Sequence, residues 1–282
     1  MSLLQLKNGR VLDLSQPHIM GILNTTPDSF SDGGQHNTFD NAVIKAKQML
    51  AEGATIIDIG GESTRPNAPD VALEEELQRT IPVIKALRAQ SDCIISIDTS
   101  KAQVMAQAIA AGADIINDVR ALQEPGALEI AAAANVPVCL MHMQGQPRTM
   151  QANPYYENLI EDIQAFFQQR IDACQQAGIK LENIILDPGF GFGKTLNHNY
   201  ELLKRLDEFN LLGCEVLAGL SRKSMIGNLL NKPTEQRLAG SLAGALIAMQ
   251  KGAKIIRVHD VAQTVDVLKV WQATEQGIKR EQ

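Results

Sequence analysis

A five-residue pattern, Gly-Ala-Xaa-Ile-Ile, occurs three times in this chain, at 53–57, 112–116 and 252–256. In each copy a segment of helical period runs into the glycine and an apolar, β-branched run follows it. The glycine reads as the left-handed residue that stops a helix, and the run beyond it as a strand. A looser fourth copy pairs Ala177-Gly178 with Ile184-Ile185-Leu186-Asp187. A chain that repeats helix, glycine and strand has few folds open to it, because the strands must lie parallel with helices covering them.

A search for further runs of the same kind predicts strands at 18–24, 55–62, 93–99, 114–119, 137–142, 183–189, 215–221 and 254–259. They are nearly continuous in apolar residues, as strands covered on both faces must be. Helical periods over 40–51, 73–89, 102–111, 157–177 and 236–251 separate many of them. Eight such units in 282 residues suit a closed barrel of about 250 residues better than an open doubly wound sheet, whose glycine fingerprint is absent. The predicted fold is α/β, a (βα)8 TIM barrel forming a single domain over 1–282. Residues 1–14, with Asn8-Gly9 between two apolar patches, read as an N-terminal β-hairpin plugging the barrel floor.

Composition narrows the partners. With 26 Lys and Arg against 32 Asp and Glu, the net charge is −6, and no broad basic field is present for nucleic acid or an anionic membrane. Aromatic residues are few, seven Phe, three Tyr and one Trp, so an aliphatic core is expected, and aromatic clusters draw attention. Cys93, Cys139, Cys174 and Cys214 form no CxxC pair and read as free thiols in a reducing cytoplasm. The start of the chain lacks the basic and apolar regions of a secretory leader, and no stretch is long and apolar enough to span a bilayer.

In a barrel the chemistry belongs at the C-terminal strand ends. Those positions hold Asn24, Glu62 with Thr64 and Arg65, Asp98, Asn117, His142, Asp187, Lys223, and Arg257 with His259. Helix capping is the plain account of Thr99, Ser100 and Ser221. It fails for Arg257 and His259, which lie two apart and so share one strand face. Asp98 and Asp187 each follow an apolar run and need donors; with Asn117 they suit a heterocycle presenting N–H and NH2 groups along one edge, or else pair with Lys223 or a neighbouring cap. Arg257, His259, Asn24 and Thr64 form a donor-rich group suited to phosphate or pyrophosphate. The loops at 24–34 and 60–66 carry hydroxyls, glycines and Phe30, and read as lids. The run Gly189-Phe190-Gly191-Phe192-Gly193-Lys194-Thr195 is not a phosphate-binding loop, because Pro188 stands where its first glycine belongs. Cysteines and histidines show no zinc spacing.

Four segments, Gly21-Ile22-Leu23-Asn24-Thr25-Thr26-Pro27-Asp28-Ser29-Phe30-Ser31-Asp32-Gly33-Gly34, Gly60-Gly61-Glu62-Ser63-Thr64-Arg65-Pro66, Asp187-Pro188-Gly189-Phe190-Gly191-Phe192-Gly193-Lys194 and Ser221-Arg222-Lys223-Ser224, closely resemble the dihydropteroate synthase family, in register from about Met20 to His259. The resemblance implies a transferase of folate synthesis that joins 6-hydroxymethyl-7,8-dihydropterin pyrophosphate to p-aminobenzoate and releases pyrophosphate. It implies catalytic roles for Asp98, Lys223, Arg257 and His259. Pterin would be bound by Asp98, Asn117, Asp187 and Lys223, with Met141 and Phe192 as walls and Arg257 against the ring. Pyrophosphate would meet Asn24, Thr64, Arg257 and His259, with a magnesium ion (Mg2+) on Asn24. Aminobenzoate would lie against Phe30, Thr64, Arg65, Pro66, Phe192, Lys223 and Ser224, the place a sulfonamide would compete for. A homodimer through the later helices is also implied. Asn67 departs from the family, which usually has Gly after Arg-Pro; Asn tolerates the left-handed conformation. The alternatives are a pterin-binding methyltransferase barrel, which has less use for a pyrophosphate pocket, a Schiff-base aldolase acting through Lys223, and a non-catalytic folate-binding barrel.

Overall fold

Eight parallel strands close on themselves in a computed structural model that describes residues 3–26, 35–63, 70–145, 150 and 154–277, with 35–38 as backbone alone. They are β3 (His18–Asn24), β4 (Ile56–Gly60), β5 (Ile94–Asp98), β6 (Ile115–Asp118), β7 (Val138–Met141), β8 (Ile184–Asp187), β9 (Glu215–Ala218) and β10 (Ile255–Val258). Each neighbours the next in the chain, and β10 returns to β3. This is the predicted TIM barrel. Most runs stop one to three residues short of their predicted ends, where backbone and side-chain groups also take partners outside the sheet. Gly61, for example, gives its carbonyl to Arg79, and the Thr99 hydroxyl goes to Glu76.

The outer helices are α1 (Gln35–Ala51), α2 (Leu73–Arg88), α3 (Ala102–Ala111), α4 (Ala127–Ala134), α5 (Leu159–Gln176), α6 (Leu196–Lys204), α7 (Ser224–Leu230), α8 (Leu238–Gln250) and α9 (Val261–Gln276). Sequence periodicity finds five of them and misses α4, α6, α7 and α9. The first three of these are short, and α6 opens on a capping box in which His198 takes the usual place of Glu or Gln. In α9 only Val261, Thr264 and Val265 are buried, too narrow a stripe to stand out.

The repeated glycines end helices as expected. Gly53, Gly112 and Gly252 have φ of 102°, 117° and 90°, and the amide after each bonds back to the last turn: Ala54 to the Met49 carbonyl at 2.9 Å, Ala113 to Ala108 at 2.9 Å and Ala253 to Ala248 at 3.0 Å. Those bonds close the helix and aim the chain into the next strand.

One apolar cluster lies between helices and sheet, and a second fills the lower barrel with Met20, Ile56, Ile94, Ile115, Cys139, Ile185, Leu217 and Ile255. The second contains no aromatic ring. It is completed by Leu4, Leu6, Leu12 and Leu14 from the hairpin β1 (Leu3–Gln5) and β2 (Val11–Asp13), paired Leu4 to Leu12. Asn8 and Gly9 turn it at positive φ. Each such side chain taken from water is worth about 1.5–3 kcal/mol, so the hairpin is the floor of the barrel. Strand side chains two residues further on face the same interior, and there the lining changes from apolar to polar.

Candidate active site

Above the apolar floor the inward row reads Ile22, Asp58, Ser96, Asn117, Met141, Asp187, Gly219 and Arg257, by strand parity. Asn24, Asp98 and His259 stand above them at the barrel mouth. Strand pairing sets Asp58 beside Ser96, Asp98 beside Asn117, and Met141 beside Asp187.

Arg257 joins the carboxylate and the donor-rich constellations read from the strand ends. Its Nε donates to Asp58 Oδ2 at 2.6 Å and its Nη2 to Asp98 Oδ2 at 2.7 Å. Asn117 Nδ2 also donates to Asp58 Oδ2, at 3.1 Å. Asp58 is fully buried, and its Oδ1 has no hydrogen-bond partner; neither has Ser96 Oγ on the adjoining strand. Asp58 lies mid-strand in β4, away from the strand ends that hold the other candidates. The signal was available, since a carboxylate in the apolar run 55–59 shares the inward parity of Ile56 and needs a buried cation.

Burial raises the carboxyl of Asp98 up to about 7; Arg257 opposes this and Asp58 adds to it. Burial also raises Asp187, against the nearby Lys223 and an N–H bond from Gly189 at 2.8 Å. Gly189 has φ of 71°, and a Cβ there would stand 1.9 Å from the His142 carbonyl oxygen, so the turn under Asp187 admits only glycine. Lys223 Nζ donates to the Phe190 carbonyl at 2.5 Å and lies 4.7 Å from the centre of the Phe192 ring. Burial lowers its amine to about 8, with Asp187 acting the other way. Phe190 is wholly buried in the outer core, whereas Phe192 is half-buried.

Local structure fixes Lys223. It precedes α7, and Arg222 before it has φ of 58°, a conformation held by an Arg222–Asp260 ion pair and by the Arg222 amide on Ser241 Oγ at 2.9 Å. Ser224 begins α7 and is exposed. Met141 is buried among the inward residues, and Asn24 is half-buried at the end of β3. The ring of His259 meets Ser221 Oγ at 3.0 Å through Nδ1.

The reading changes at four residues. Ser221 binds the amide and ring of His259, and Ser100 binds Asp118, so neither is a helix cap. Thr99 donates to the buried Glu76 and accepts the Lys101 amide at 3.2 Å, but the N-cap of α3 is Lys101, without a side-chain bond. His142 turns away from the pocket, against the rings of Tyr156, Phe166 and Phe167, with Lys194 Nζ at 3.0 Å.

Thr64, Arg65, Pro66, Asn67 and Phe30 lie outside the described residues. At the base of the second loop, Glu62 accepts the Val71 amide at 3.2 Å and pairs with Lys101, which also pairs with buried Glu76. A cleft of about 350 Å³ beside this base is lined by Glu62, Val71, Lys101 and Arg120 among others, and by none of the residues expected to touch substrate.

The arrangement is a deep polar cup: inward carboxylates and an amide below, a guanidinium between them, and a lysine against an aromatic wall. A family model described as "Pterin binding enzyme" matches residues 20–259. Dihydropteroate synthase of Haemophilus influenzae is 65% identical over 267 residues, covering 95% of this chain and 97% of that one. The solved dihydropteroate synthase of Yersinia pestis, in a sulfonamide drug complex, is 56% identical with a TM-score of 0.92, covering 97% of this chain and 99% of that one. That of Xanthomonas albilineans, with 4-aminobenzoic acid, is 50% identical with a TM-score of 0.92 and covers 98% of each chain.

Proposed function

The chain belongs to the dihydropteroate synthase family of pterin-binding enzymes, and we infer the division of labour among its residues from that premise and the geometry of the cup. The reaction is a transfer: the methylene of 6-hydroxymethyl-7,8-dihydropterin pyrophosphate passes to the amine of p-aminobenzoate, giving 7,8-dihydropteroate and pyrophosphate for folate synthesis. The observation that carries the residue roles is Arg257, itself one of the donors of the mouth group, holding the carboxylates of both Asp58 and Asp98.

In this reading Asp98, Asn117 and Asp187 grip the polar edge of the pterin, and Met141 and Phe192 wall its faces. Carboxylates suit that edge because each accepts two parallel hydrogen bonds. Ionised, they also favour the positive charge that the ring shares as pyrophosphate departs, which supports an SN1-like path. Aminobenzoate would lie where Lys223 meets the Phe192 ring, with Ser224, Phe30, Thr64, Arg65 and Pro66. Arg257, His259, Asn24 and Thr64 receive the leaving group. Closed lids would keep water from the electrophilic methylene.

Asn24 offers one amide oxygen at the mouth, and the described residues contain no group of three His, Cys, Asp or Glu able to cage a metal. That donor set fits a magnesium ion held chiefly by the substrate's own phosphate oxygens, as this cation prefers. When bound, it would neutralise charge on the departing pyrophosphate.

A homodimer belongs to the same reading. Leu229 and Leu230 on α7, Ile247 on α8 and Val270 on α9 are exposed on neighbouring helices, and sedimentation of the protein before and after Leu229→Lys tests whether a second copy covers them. A cytoplasmic location is supported by four unpaired cysteines; no helix among the described residues is long and apolar enough to cross a membrane. The reaction is tested by pyrophosphate release that depends on p-aminobenzoate and is inhibited by a sulfonamide in competition with it. Pterin binding without such release would leave a folate-binding barrel in its place.

A further inference from the structure

Two carboxylates hold one guanidinium, yet they are placed differently. Asp58 is fully buried, receives Nε of Arg257 at 2.6 Å, and spends the same oxygen on Asn117. Asp98 receives Nη2 at 2.7 Å and retains 10% of its side-chain exposure at the mouth of the cup. A pterin that takes Asp98 must therefore compete with Arg257 for it, whereas Asp58, level with Asn117 and Asp187, is wholly buried beneath the guanidinium it holds. A charge-assisted hydrogen bond given up at Asp98 leaves the Nη2 edge of Arg257 with an unmet donor in a site of low polarity.

We propose that Asp58 is a positioning residue that retains Arg257 through Nε while Asp98 surrenders Nη2 to the incoming pterin, so that pterin binding itself frees a guanidinium edge for the pyrophosphate group. The inference rests on the pterin and pyrophosphate reading above and adds a coupling between its two halves. In the empty protein the cation is stored on Asp98, and the anion site is correspondingly weak. With pterin bound, the same cation stays tethered at the junction and faces the leaving group. Linkage makes the effect reciprocal: pyrophosphate tightens pterin by the same factor.

Calorimetry with inorganic pyrophosphate, in one magnesium-containing buffer, with and without saturating 6-hydroxymethylpterin, measures the coupling. The expected result is pyrophosphate binding about fivefold tighter with pterin present, at the lower end of ordinary coupling between sites. Two substitutions that remove the same charge then act in opposite directions. Asp98→Asn frees Nη2 and tightens pyrophosphate in the absence of pterin, whereas Asp58→Asn loses the tether and weakens it. Tightening by both would reduce the effect to the general field of a lost carboxylate and overturn the proposal, as would pterin leaving pyrophosphate affinity unchanged in the unaltered protein. Failure of that protein to bind any pterin would overturn the underlying reading as well. A measurement that needs no change at Asp58 is the 15N-arginine Nε–H signal, assigned by its loss in Arg257→Lys: it should stay protected from exchange when pterin is added, and rapid exchange on pterin addition would refute the tether.

Discussion

Lys194 Nζ lies 3.0 Å from Nδ1 of His142 and 3.1 Å from the Phe192 carbonyl, with both side chains nearly lost to solvent. Burial lowers the amine of Lys194 to about 7, with Asp187 acting the other way, and lowers the imidazole of His142 well below its usual range, where the charge of Lys194 adds to the effect. The pair pins the loop whose Phe192 forms the aromatic wall of the cup.

That burial has a pH signature. Between pH 7 and about 10.4 the unfolded chain protonates Lys194 more fully than the folded one does, so stability contributed by this site rises with pH through that window and falls on the way down. Thermal unfolding of the protein and of Lys194→Met at pH 7.0 and 9.5 is the check. The unaltered protein should gain on the variant as pH rises; a constant difference would contradict the buried amine.

A second pH effect concerns turnover. Asp98, raised to about 7, must be ionised to grip the pterin, and Lys223, lowered to about 8, serves as a cation. The ratio kcat/KM for the pterin substrate reports the free enzyme, so it should be bell-shaped, with an acid limit near 7 and an alkaline limit near 8. Asp98→Asn should abolish the acid limb at a lower plateau, and Lys223→Arg should move the alkaline limb upward.

Arg257 and His259 share a strand face but not a structural burden. Arg257→Ala strands Asp58 and Asp98 without their cation and should cost about 3–5 kcal/mol of stability. His259→Ala loses contacts to Ser221 and should cost about 1 kcal/mol. Both weaken pyrophosphate binding. Denaturant titration beside calorimetry separates the two effects, and equal stability of the two variants would refute the ion-pair account.

At the base of the second loop, Glu62→Ala removes the acceptor of the Val71 amide but leaves Lys101 its buried partner Glu76. Stability should fall by about 1 kcal/mol. A loss of that size at the loop base should raise KM for p-aminobenzoate roughly fivefold, while pterin affinity changes little. Parallel loss of both affinities would place Glu62 in the pterin cup instead.

The barrel floor offers a purely structural test. Leu12 is 5% exposed within the lower cluster, and Leu12→Ala should destabilise by about 2–5 kcal/mol, read as a lower denaturation midpoint with kcat retained in the folded fraction. A neutral substitution would mean that the hairpin is not sealing the barrel.

Much of this was legible in the chain. The glycine-strand repeat and the apolar runs are local signals, and because a closed parallel barrel is the economical way to bury eight such strands, they determined the fold and placed Asp98, Asn117, Asp187, Lys223, Arg257 and His259 at one end of it. The length of the short helices α4 and α7 defeated periodicity, and capping chemistry misassigned Ser100 and Ser221, whose partners Asp118 and His259 come from other strands. The tertiary structure alone decided how the charges pair. Arg257 is 199 residues from Asp58 and 159 from Asp98, and only barrel closure, with β10 laid against β3 and β4 beyond it, brings that guanidinium over a carboxylate buried too deep to exist uncompensated.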